Sequence, residues 1–179
     1  MPPARSKARK RALDVLFEAE LRGLPVLELL AERITMGSPP VAPYAADLVR
    51  GVTVHRARID ELMGQYAEGW TLDRMPAVDR NVLRIGIYEL LWADDVPDGV
   101  AISEAVLLAR DLSTDASPAF INGLLARIAD LKPSLELDSE PSPDSEPSPE
   151  PESSPDLAPS GDLDAAGERA TVPDTAPEP

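Results

Sequence analysis

The chain contains no cysteine. Disulfides, thiolate metal sites and cysteine nucleophiles are excluded together, so the scaffold relies on packing, and the composition agrees with a reducing compartment. There is one histidine, His55, set close to Arg56 and Arg58. A His-based metal site or proton shuttle would need partners that this chain lacks, and His55 reads as a surface residue. No apolar run approaches the length needed to span a bilayer, and the basic N-terminus is not followed by the apolar stretch of a secretory signal. A cytoplasmic protein is expected. No G-x-G-x-x-G follows a strand pattern, and no pair of acids with a histidine or a ligand set suggests catalysis. Neither an enzyme nor a cofactor or metal site is anticipated.

Positive charge is also scarce, with 17 Lys+Arg against 32 Asp+Glu, and its distribution divides the chain. Residues 1–133 carry a net charge of −3, whereas residues 134–179 carry −12 and half of the 20 prolines. Repeated Glu-Pro-Ser-Pro units there interrupt any helix or strand, and few apolar residues offset the ordering entropy. The expected organisation is a folded domain over residues 1–133 followed by a disordered acidic Pro/Ser/Glu-rich tail over residues 134–179.

Within the first part, the stretch from Ala77 to Trp92 organises the rest, because its apolar side chains cover most of a helical circumference. Arg80, Asn81, Arg84 and Tyr88 form the narrow strip expected to meet solvent. Glu89 falls on the apolar side, where an unpaired carboxylate is costly, so it is expected to find an Arg or a backbone N–H. The first helix is expected over residues 7–22, with Ser6 as N-cap, Gly23 as stop, and Ala8, Ala12, Leu13, Val15, Leu16, Phe17 and Ala19 inward. Its basic block, Arg5, Lys7, Arg9, Lys10 and Arg11, sits where the helix dipole disfavours cations, which suggests an anionic partner. Helical spacing continues after Pro25, from Pro43 to Tyr66 with a bend around residues 51–58, over residues 101–112, and from Ser117 and Pro118, read as N-cap and N1, to about Leu131. No strand pattern appears. The fold class expected is all-α, six or seven helices in two antiparallel bundles.

The basic first helix, VDRNVLRIGIYELL, VPDGVAISEAVLLARDL and DASPAFINGLLARI, in this order and spacing over residues 5–131, resemble the transcription antitermination NusB family. The resemblance implies a helical, non-enzymatic protein that binds boxA RNA of ribosomal RNA leader transcripts together with NusE, a small-subunit ribosomal protein. It would thereby act indirectly on the RNA polymerase elongation complex, with a homodimer possible and no membrane partner. On that resemblance Arg5, Lys7, Arg9 and Lys10 match an arginine-rich RNA-binding motif, and Phe120 and Asn122 match positions near RNA. Phe17 and Asp79 match positions facing NusE. Ser6 stands where another Arg is common, Ser103 replaces an Asn, Ala116 an acid near the RNA site, and the acidic tail has no counterpart. Two other readings keep the fold: an accessory domain like that of RNA cytosine methyltransferases, and a structural dimer that buries the basic block.

Overall fold

The computed structural model describes residues 3–67 and 69–135. All belong to one unit, Met1–Asp138. The second unit lies outside the described residues, and so does the expected tail apart from Ser134 and Leu135. Among the described residues there are seven α-helices and no strand: α1 (Pro3–Arg22), α2 (Val26–Met36), α3 (Pro43–Val54), α4 (Arg56–Tyr66), α5 (Ala77–Trp92), α6 (Asp98–Leu112) and α7 (Ser117–Leu131), with short 3-10 turns at Leu72–Arg74 and Lys132–Ser134. Helices α1, α2 and α3 pack on one another, α6 packs along α7, and α5 touches α1, α3, α4, α6 and α7. Two bundles therefore share one helix. None of the described helices is long and apolar enough to cross a membrane.

The chemistry of α5 explains that position. Every side chain from Asn81 to Ile87 is buried, as are Asp79, Glu89, Leu90 and Leu91. At Gly86 a Cβ would come within 2.8 Å of Leu125, and at Gly51 of α3 it would overlap the Tyr88 ring. Glycine at these two points brings α7 and α3 onto α5 at distances that no other residue permits without repacking.

The solvent-facing strip expected on α5 is absent, because two of its four members are inside the protein. Arg84 is 2% exposed and Asn81 1%. Arg84 donates from Nε and Nη2 to Asp60 of α4 at 2.8 and 3.1 Å, and from Nη1 to Glu20 of α1 at 2.8 Å and to Asn81 at 3.1 Å. Long polar side chains that find opposite charges on neighbouring helices are covered with their partners. Arg80, half-buried, pairs with Glu20 and donates to the carbonyls of Leu72 and Met75, fixing the turn that leads into α5. Burial raises the Glu20 carboxyl, but bonds from Arg80, Asn81 and Arg84 outweigh it and hold the group at about 2.

Three local expectations change. Helix α1 begins at Pro3, so Ser6 lies inside it and only Arg5 of the basic block stands in its first turn. Ser117 is the first residue of α7 rather than its cap. His55 is a half-buried hinge between α3 and α4, its ring stacked on Trp92 at 4.1 Å between centroids. Aromatic area, and not charge, decides its place.

Candidate nucleic-acid interface

The basic block of α1 is divided by helix geometry. Arg9 recurs at i, i+3, i+4 and i+7 with Ala12, Leu13 and Leu16, all buried. It is 1% exposed, donates from Nε to both Glu89 oxygens at 3.0 and 2.9 Å, and is paired from Nη2 to the same carboxylate at 2.7 Å. Glu104 of α6 lies 3.5 Å from Nη1, and Tyr44 of α3 donates its hydroxyl to Glu89. Burial and that bond push the Tyr44 hydroxyl above its ordinary value. The assignment of Arg9 to phosphate contact is therefore corrected: its guanidinium joins α1, α5, α6 and α3 inside the core and is withdrawn from any RNA. The Arg expected for Glu89 is Arg9.

Lys7 and Lys10 lie on the opposite face and are exposed. With Ser6 they line one side of a groove of about 250 Å³ whose other side is α6, through Glu104, Leu107, Leu108 and Asp111. Arg11 turns the other way, donating to the Pro39 carbonyl at 3.2 Å. Arg5 is part-exposed, paired with Asp95 in the α5–α6 turn, with its guanidinium carbon 4.7 Å from the Tyr44 ring centre.

A second surface gathers around the start of α7. Phe120 is half-buried, its ring 6.1 Å from that of Trp70, which is 47% exposed. Phe120 also lines a shallow cavity of about 310 Å³ with Tyr66, Gly123, Leu124 and Arg127, whose guanidinium lies 5.5 Å from the Tyr66 ring centre. Part-exposed rings and a cation at one place suit stacking on an unpaired base. Asn122 is exposed on α7. Sequence reasoning missed Tyr66, Trp70 and Arg127. Only the spacing of Phe120, Gly123, Leu124 and Arg127 on one face of α7 held a signal, and nothing in it pointed to α4.

Phe17 is half-buried on α1, one turn before Leu21, which is 74% exposed. Asp79 is not at the surface: it is 3% exposed and accepts a 2.7 Å bond from Ser117 Oγ, joining the starts of α5 and α7. A partner-facing surface carboxylate is corrected accordingly, although Asp79 does line a cavity of about 220 Å³ with exposed Trp70, Ser117 and Phe120. Along α5, Asp79 marks the Phe120 end and Glu89 the basic end. By helical rise these lie about 15 Å apart, so the structure does not put Phe120 and Lys7 side by side.

Fold and surface together define a two-bundle helical protein with a basic helix end and an aromatic patch, built to bind. The chain belongs to the NusB family, whose model matches residues 6–130. It is 60% identical over 134 residues, 75% of this chain and 94% of the relative, to transcription antitermination protein NusB of Thermobifida fusca (strain YX). Among solved structures it is similar to T. maritima NusB, with TM-score 0.64 and 35% identity over 73% of this chain and 93% of that one. It is also similar to a chain in a crystal structure of antitermination factors NusB and NusE in complex with dsRNA, with TM-score 0.63 and 28% identity over 73% and 98% of the two chains. Proteins of this kind are antitermination factors and not enzymes.

Proposed function

We propose that this protein is a transcription antitermination factor that binds boxA-type RNA of ribosomal RNA leader transcripts together with NusE. In the cytoplasm it would thereby favour processive elongation by RNA polymerase. The observation that carries this reading is the outward placement of Lys7 and Lys10, exposed near the start of α1 where Arg5 is also part-exposed, while Arg9 between them is turned into the core. Backbone phosphates are the natural ligand of such a pair, and they fix register without reading sequence. Base recognition falls to Phe120 with Trp70 and Tyr66, and Asn122 offers an exposed amide on the same helix as Phe120. Phe17, beside exposed Leu21, supplies the apolar part of a face for NusE. The complex of a related NusB with NusE and dsRNA supports the choice of partners.

Titration of a labelled boxA RNA with and without NusE tests this directly. Binding that is tighter for boxA than for a scrambled strand of the same length, and tighter again with NusE, is the expected result. Equal affinities for the two strands at physiological salt, unchanged by NusE, would overturn it.

A further inference from the structure

Arg5 is the cation of the basic block closest to the start of α1, and it already has a seat. Asp95 pairs with it from the α5–α6 turn, and the Tyr44 ring lies beneath its guanidinium carbon at 4.7 Å. The seat lies at the edge of a cavity of about 350 Å³ between α3 and the end of α5, walled in part by Tyr44, Asp47, Tyr88, Trp92, Asp94 and Asp95. Carboxylates supply charge to a guanidinium and aromatic faces supply their quadrupole. The same carboxylates repel a phosphate. An RNA strand therefore cannot follow Arg5 to where it rests.

We infer that Asp95 is an internal rival of RNA for Arg5: in the RNA-free protein Arg5 is seated on Asp95 and Tyr44, and binding of the strand draws it off. This rests on the proposed function, with Arg5, as the family resemblance implies, a phosphate ligand alongside Lys7 and Lys10. The exchange is feasible because the pair is a surface one, with side chains 34% and 61% exposed. Such pairs contribute little to stability and are readily given up. The opposite role is physically distinct: an Asp95 that held Arg5 in the geometry RNA needs would assist binding, and its removal would weaken it. The sign of the effect separates the two.

The test uses the full chain as wild type, Asp95→Asn, Arg5→Ala and the double variant, each titrated with labelled boxA RNA at low and at physiological salt. Circular dichroism and melting temperature serve as controls for folding. Asp95→Asn is expected to tighten binding by about two- to five-fold at low salt, in keeping with a surface pair, and the gain should shrink as salt rises. In the Arg5→Ala background the same substitution should give little or no gain. Unchanged or weaker binding by Asp95→Asn, while Arg5→Ala weakens it, overturns the rivalry alone. An undiminished gain without Arg5 also overturns it, since that reports only general repulsion. If Arg5→Ala binds as wild type, the phosphate role of Arg5 fails and the rivalry fails with it.

Discussion

Arg9 and Lys10 are neighbours in sequence and opposites in use. Arg9 is held in the core by Glu89, with Tyr44 and Glu104 around it, whereas Lys10 stands exposed at the edge of the α1–α6 groove. Both count equally in a tally of basic residues, and only the helix face tells them apart. A cation three and four residues before Ala12 and Leu13 is on the core stripe, and it stays charged there because α5 presents a carboxylate at the matching place. One such residue carries fold, and the other is left at the surface, where the proposed RNA contact needs it.

The largest expected effect breaks the inner side of this comparison. Glu89→Ala removes the carboxylate that Arg9 meets from Nε and Nη2 inside the core, and should cost about 3 to 5 kcal/mol in a denaturant titration. Arg9→Ala should cost a similar amount, while Arg9→Met with Glu89→Leu should lose far less than the two single losses added. A loss below about 1 kcal/mol for Glu89→Ala, the size of a surface pair, would mean that Arg9 is no structural residue.

The outer side responds in the other assay. Lys7→Ala with Lys10→Ala should leave stability within about 0.5 kcal/mol of the parent. The slope of log K against log salt for boxA RNA should become shallower by about 1 to 2, at roughly 0.7 per phosphate for a single strand. An unaltered slope would remove both lysines from the interface, and an altered melting temperature would blur the division between the two faces.

A smaller effect extends the comparison to the other half of α5, where Arg84 and Arg80 hold Glu20 and Asp60. Burial raises the Asp60 carboxyl, and Arg84 and Arg56 more than reverse this, so both carboxyls lie below their ordinary values, Glu20 at about 2. Their folded-state values are depressed, so the unfolded chain takes up protons first as pH falls. The stability they contribute is present above the unfolded carboxylate range, roughly pH 4 to 4.5, and is lost on the way down to about 2. Urea midpoints should therefore drop between pH 5 and pH 2.5, and Glu20→Gln should flatten that drop. A variant that tracks the parent at every pH would show that this network does not govern acid unfolding.

What could be read from sequence was set by periodicity. Six or seven helices follow from apolar spacing because each element buries one stripe, the bend around residues 51–58 being the break between α3 and α4, and α5 stood out because its apolar side chains cover most of its circumference. Glu89 was legible as a buried acid, since a lone carboxylate among Val82, Ile85 and Leu90 requires a partner. Arg9 carried the same signal in mirror image, and its place in a basic block concealed it. Arg84 and Asn81 were misread because a polar strip is covered or exposed according to what another helix brings, and Glu20 and Asp60 are remote in sequence. The pairing of Phe120 with Trp70 and Tyr66 depends on how α4 and its following turn lie against α7, which no local pattern encodes.

The weakest effect concerns the part of the chain with the opposite charge balance. Residues 134–179 carry −12 and residues 1–133 carry −3, so most of the negative charge belongs to a segment that the family match, ending at residue 130, does not include. A polyanion covalently attached to an RNA-binding domain lowers the local tolerance for a second polyanion, whether or not it rests on Lys7 and Lys10. Screening limits this, since the Debye length is about 8 Å at physiological salt and about 30 Å at 0.01 M. Removal of Ser134 to Pro179 should then raise boxA affinity by about a few-fold at low ionic strength, and the gain should vanish near physiological salt. Lys7→Ala with Lys10→Ala in the truncated chain sharpens the point. If the tail acts through the lysines, their loss should abolish the gain, and if it acts through general repulsion the gain should persist. Superimposable titrations of the full and truncated chains at 0.01 M salt would leave the acidic segment without a part in RNA binding.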